Sequence, residues 1–213
     1  MAIYHCSTKT VNRSSGRTAV ASSAYRAGEK LEDERTGLTH DFTRKDGVAH
    51  SEILSNLDIE IDRGELWNLA EKTENRKDAR TAREWVIALP DELDADQRKD
   101  LAKDFARSLV DRYGVIADLA IHEPSKGGND KNHHAHIMLT TREIGPEGFG
   151  AKNRDWNAKE LLVDWRSSWA EHVNRTLERC SVYERVDHRT LEAQRAEALE
   201  RAHAAERRGD ERV

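Results

Sequence analysis

Two short apolar runs separated by a polar, glycine-bearing loop restrict this chain most. Val115 to His122 and His133 to Thr141 have the length and branched residues of strands, and Pro124 to Asp130 between them is rich in turn formers. That pattern predicts an antiparallel hairpin with a long connection. Further strands are expected over residues 2–9, over Leu38 to Phe42, and from Glu84 to Leu89, ended by Pro90. Asp94-x-x-Gln97 has the form of a capping box. It opens a helix carrying Leu101, Phe105 and Leu109, which Gly114 stops after Tyr113. Asn157-x-x-Glu160 has the same form, ahead of Leu161, Trp165, Trp169, Val173 and Leu177 at helical spacing. Shorter helices are expected from Arg17 to Lys30 and from Arg63 to Thr73. Residues 144–155 are glycine-rich and read as a mobile loop, and residues 33–62 are polar with little periodicity. From Leu191 onward Ala, Glu and Arg dominate without an apolar face. The expected division is one domain over 1–190 and a charged helical tail or linker over 191–213.

Bulk properties exclude some classes. No run of about 18 apolar residues is present, so no membrane span is expected. The N-terminus lacks a basic stretch leading into an apolar one, which does not fit a signal peptide. The two cysteines, Cys6 and Cys180, lie far apart in no metal-type spacing and read as reduced thiols. A cytoplasmic location is expected. The net charge of −5 argues against nucleic acid as partner, but it says nothing of where the charges sit.

The sharpest chemical signal is His134-Ala135-His136 with His122 on the preceding strand. Residues i and i+2 of a strand share a face, about 6.5–7 Å apart. Two imidazoles so placed converge on one cation, and a third from the neighbouring strand completes a set with open positions for a substrate oxygen. His133 falls on the opposite face. Spacing alone fits a structural histidine pair equally well. Tyr25 follows Ala21-Ser22-Ser23-Ala24, small residues that leave room for something bulky. Arg13, Arg17 and Arg26 lie nearby, and a helix start with arginines suits phosphate. A tyrosine packed into the core fits the same residues. Glu84, at the head of a strand, fits either a proton acceptor or histidine partner, or a plain strand end.

Taken in order, several segments resemble one family. They are Met1-Ala2-Ile3-Tyr4-His5, Arg13-Ser14-Ser15-Gly16-Arg17, Ser23-Ala24-Tyr25-Arg26, Arg83 to Pro90, Ala120-Ile121-His122, His133 to Met138 and Asp187 to Gln194. Together they resemble the MobA/MobL-type (MobQ) conjugative relaxases of the His-hydrophobe-His endonuclease class, over nearly the whole chain. The resemblance implies an α+β fold, a central antiparallel sheet flanked by helices on both faces, with the histidine pair on a central strand. It implies Tyr25 as nucleophile, Glu84 as a carboxylate assisting it or the metal site, and His122, His134 and His136 as ligands of a divalent ion (Mn or Mg, with Zn or Ni also fitting). The implied activity is strand-specific nicking at a plasmid transfer origin through a 5′-phosphotyrosyl intermediate that is later rejoined. A phenol ionises near pH 10, so it needs a base or positive charge to attack. Glu84 is the expected base, with the metal and Arg26 as competing explanations. Single-stranded DNA is the expected partner, with Arg13, Arg17, Arg26, Lys152, Arg154 and Arg189 as contacts. Accessory relaxosome proteins, a coupling protein and a type IV secretion system follow by resemblance. Ala135, between the histidines, is smaller than the family pattern but faces away from the metal. The competing readings are a rolling-circle replication initiator of the same class and a histidine-ligated zinc hydrolase, which would need no tyrosine.

Overall fold

In chain order the strands of the computed structural model are β1 (Cys6–Asn12), β2 (Lys30–Asp33), β3 (Leu38–Asp41), β4 (Val48–Leu54), β5 (Arg80–Ala88), β6 (Ala117–His122), β7 (His134–Thr140), β8 (Arg142–Gly145) and β9 (Gly148–Lys152). The helices are α1 (Ala19–Ala27), α2 (Arg63–Thr73), α3 (Ala95–Tyr113), α4 (Lys159–Arg179) and α5 (Leu191–Asp210). The structure describes residues 3–57, 60–125, 127 and 129–210. Ala2 of the first expected strand, Lys126 and Gly128 of the expected loop, and tail residues 211–213 lie outside it.

The expected hairpin is the middle of a five-stranded antiparallel sheet ordered β1-β5-β7-β6-β4. Alternation gives this sheet two unlike faces. On one, Trp85 and Ile87 of β5, Leu119 and Ile121 of β6, and Ala135 and Ile137 of β7 meet Leu101 and Phe105 of α3 and Trp165 and Trp169 of α4. Edge-to-face contacts of Trp85 with Trp156 and Trp165 fill the centre of this layer. On the other face Val11, Ala82 and Met138 meet Ala19 and Val20 of α1 and Leu66, Trp67 and Ala70 of α2. The helices therefore cover both faces, as expected.

The second layer has a polar interior. Asp118 of β6 accepts hydrogen bonds from Ser23 Oγ (2.6 Å), Trp67 Nε1 (2.8 Å) and Arg63 Nε (3.1 Å), joining α1 and α2 to the sheet. Arg63 also pairs with Glu29. Glu71 of α2 accepts from the backbone N–H of Ala19 (2.7 Å), one of the unsatisfied donors in the first turn of α1. Arg13 binds Glu71 through Nε (2.9 Å) and donates to the carbonyls of Glu71, Glu74 and Arg76, satisfying the end of α2.

Several boundaries differ from expectation, each for a local reason. Helix α1 is shorter than 17–30, because Thr18 caps its start by accepting from Ala21 N–H and Gly28, at φ 68°, ends it. Asn157 does not cap α4; Ala158 occupies that position, and the Asn157 side-chain oxygen accepts from Arg80 and Arg83 instead. The glycine-rich 144–155 stretch is not a plain loop: most of it is the β8–β9 hairpin, turned at Gly148 with φ 98°. Strand β4 arises in the segment without readable periodicity, and β2 begins at Lys30, where the expected helix was to end. The α3 capping box forms as expected, and Gly114, at φ 61°, closes the helix. No residue of α5 is buried among those described. No described helix is long and apolar enough to cross a membrane.

Candidate active site

The β6–β7 register builds the site. His122 lies opposite His134, and Ala120 lies opposite His136. All three imidazoles therefore project from one face, the face covered by α1 and α2. Their ring centroids are 5.0–5.4 Å apart. One nitrogen from each lies within 4.8 Å of the others. His133 points away and faces Asp91 (3.6 Å), as its parity predicts.

The outer nitrogen of each ring meets a group that can only accept. His134 Nδ1 donates to the Asn132 carbonyl (2.9 Å), His136 Nδ1 to Glu84 Oε1 (2.6 Å), and His122 Nε2 to the Arg26 carbonyl (2.8 Å). With its hydrogen on that nitrogen, each neutral ring keeps a lone pair on the other. Burial pushes His122 down to about 4, against the raising effect of its bond to Arg26. Burial likewise lowers His136, partly opposed by Glu84. Three imidazoles with oriented second nitrogens suit a divalent cation, and the set leaves positions for substrate oxygens.

Glu84 of β5 is fully buried and held on several sides. Lys9, its partner across β1, lies 3.2 Å from Oε2. Arg26 of α1 binds both its oxygens, Nη2 reaching Oε2 at 2.7 Å. Burial alone would raise its carboxyl, but hydrogen bonds from His136 and Arg26 and the Arg26 charge prevail and hold it at about 2. A carboxylate so weakly basic, with its lone pairs occupied, is ill-suited to take a phenolic proton. Its contacts fit orientation of His136, the other of the two roles expected for it.

Tyr25 is half exposed, one residue from the Arg26 carbonyl that binds His122. It is not a core residue. Phe42 meets its ring edge-on at 5.2 Å, and Lys45 Nζ stands 4.0 Å from the ring centroid. Of the expected DNA-contacting residues, only Arg26 belongs to the histidine cluster. Arg13 is committed to Glu71 and the α2 carbonyls, and Arg189 to Asp187 and Glu197. Lys152 pairs with Glu74 (2.9 Å) yet, with Arg154, lines a groove that also holds Arg80, Arg83 and Arg142. Arg17 is exposed ahead of α1. Sequence reasoning missed Lys9, Lys45 and Asp118. Lys9 shares its strand parity with buried Val11, a signal that was readable; the other two depend on tertiary approach.

A model of the MobA/MobL family matches residues 17–207. Mobilization protein MobL of Acidithiobacillus ferridurans is 44% identical over 220 residues, which cover 89% of this chain and 58% of that protein. The chain thus spans little more than half of that relative's length. A solved structure described as the molecular basis of vancomycin resistance transfer in Staphylococcus aureus superposes with a TM-score of 0.80 at 35% identity, covering 89% of this chain and 100% of that one. A conjugative relaxase, TrwC, in complex with oriT DNA shares the fold at a TM-score of 0.56 and 11% identity, over 86% of this chain and 72% of that one.

Proposed function

The chain belongs to the MobA/MobL family, and from that premise we propose that it nicks one DNA strand at a plasmid transfer origin during conjugative mobilisation, with Tyr25 as the attacking group. One observation supports this most: three imidazoles, each with one nitrogen tied to an acceptor, cluster on one sheet face beside the helix that carries a half-exposed tyrosine.

His122, His134 and His136 would hold a divalent ion, which when bound polarises the scissile phosphate as a Lewis acid. Glu84 fixes the His136 ring, and Arg26 ties Glu84 to α1. The Tyr25 oxygen forms a bond to phosphorus and the bond from phosphorus to the 3′-oxygen breaks. The phenolic proton passes to solvent around the half-exposed ring, and the departing 3′-oxygen takes a proton from solvent. The product is a 5′-phosphotyrosyl ester. No bond is spent on hydrolysis, so a second 3′-hydroxyl can reverse the step and rejoin the strand. The substrate is single-stranded at the cut. The groove of Arg80, Arg83, Arg142, Lys152 and Arg154 suits its phosphates. Accessory relaxosome proteins, a coupling protein and a type IV secretion system are the proposed partners, and the cytoplasm the proposed site of action.

The test is incubation with single-stranded transfer-origin oligonucleotides plus Mn or Mg, read on a denaturing gel. A protein–DNA adduct is expected from the wild type and none from Tyr25→Phe. Identical products from the two proteins would sink the mechanism.

A further inference from the structure

Lys45 is the least conventional cation near the site. It sits in the turn after β3, half-buried, and among the described residues no carboxylate pairs with it. Burial, then the nearby Arg26 charge, pushes its ammonium down to about 8. A long, flexible side chain without an ionic partner ordinarily extends into water. This one folds back onto Tyr25. Its Nζ donates to the Tyr25 carbonyl (2.7 Å) and lies over the ring (4.0 Å to the centroid). Phe42 closes the ring from its edge.

The turn that presents Lys45 is pinned at both ends to elements of the site. Phe42 N–H donates to the Glu29 carbonyl just past α1 (3.1 Å), and Lys45 N–H donates to the Phe42 carbonyl (2.9 Å). At the other end Glu123 N–H, next to His122, donates to the Gly47 carbonyl (2.9 Å). The turn therefore bridges the helix bearing Tyr25 and the strand bearing His122. An ammonium over an aromatic face is attracted by the ring's π electrons. The attraction grows when the ring's oxygen bears negative charge, and weak solvation at the site strengthens it further.

We propose that Lys45 is a positioning residue for Tyr25, clamping its ring against Phe42 and holding a positive charge over the ring's face. It forms no bond to substrate and transfers no proton. The proposal rests on the reading of Tyr25 as nucleophile for its meaning in catalysis, but not for its physical content.

The test uses Lys45→Gln, which keeps a donor for the Tyr25 carbonyl without charge, and Lys45→Arg, which restores charge. The first readout needs no DNA. Tetranitromethane nitrates phenolate, and mass spectrometry of peptides gives the Tyr25 rate relative to Tyr183, a fully accessible internal standard. Lys45→Gln should lower that ratio about threefold or more, and Lys45→Arg should recover most of it. The second readout is single-turnover nicking at saturating oligonucleotide, beside oligonucleotide affinity. Lys45→Gln should slow the covalent step about 10- to 100-fold, as loss of reactant orientation does, with affinity little changed. An unchanged nitration ratio overturns the proposal whatever nicking does. So does an affinity loss that parallels the rate loss, because Lys45 would then be binding phosphate. If wild type and Tyr25→Phe nick alike, the nucleophile reading fails, and the nitration ratio still decides whether Lys45 acts on Tyr25.

Discussion

Glu84 joins β1, β5, β7 and α1 at a single carboxylate. Its neighbours make it a strut that aims His136. Glu84→Gln keeps the shape but weakens the pull on the His136 N–H. Such outer partners typically change metal affinity about 10- to 100-fold. Titration calorimetry with Mn should show a loss of that order, while nicking at saturating Mn stays near wild type. Abolished nicking in the metal-loaded variant would restore Glu84 as the base. The same carboxylate carries a pH signature. Its folded value of about 2 lies below the ordinary 4.5, so its stabilisation is complete above about 4.5 and lost as pH falls toward 2. The melting difference between wild type and Glu84→Gln should be constant near neutrality and shrink across that window. The histidines were legible in the sequence because i, i+2 spacing is a local property and His122 lies on the adjacent run. Glu84 was legible as a residue but not in its role, because Arg26 and Lys9 reach it only through the fold.

Helix α1 is mounted on two buried carboxylates: Glu71 at its first turn and Asp118 under Ser23 at its middle. Removing Asp118 leaves Arg63, Trp67 and Ser23 without their shared acceptor. Breaking a buried pair of this kind costs about 3–5 kcal/mol. Asp118→Ala should therefore shift the urea unfolding midpoint strongly, and a loss under about 1 kcal/mol would show the network to be incidental. Helix α3 was readable because Asp94, Gln97 and Gly114 mark both its ends in local chemistry. Strand β4 was not, because it is a sheet edge on which only Leu54 is buried, and a half-wet edge needs no apolar alternation. The β8–β9 hairpin was hidden by its glycines, which serve the turn as readily as a loop.

Across the whole molecule the net charge of −5 conceals a local excess of arginine and lysine in the groove between β5 and the β8–β9 hairpin. If DNA phosphates lie there, replacing Arg80 and Arg154 together with Ala should weaken oligonucleotide binding for any sequence. It should also flatten the plot of log affinity against log salt by about one per lost contact. Arg189→Ala should leave that slope alone, because Arg189 is already committed to Asp187 and Glu197; fluorescence anisotropy across a salt series separates the two cases. The unlike faces of the sheet carry a different consequence, for how the molecule opens. The α3–α4 layer is filled with tryptophan and other apolar side chains, whereas α1 and α2 combine a smaller apolar cluster with buried ion pairs and charged hydrogen bonds. Pairs buried in this way are screened only weakly by salt, so the difference between the layers lies in apolar packing, which is far more extensive around α3 and α4. Amide exchange should accordingly be faster in α1 and α2, while α3 and α4 exchange only on global unfolding. Equal protection in the two layers would refute this. The layer that carries Tyr25 would then open and reclose many times for each opening of the tryptophan-filled layer behind the sheet.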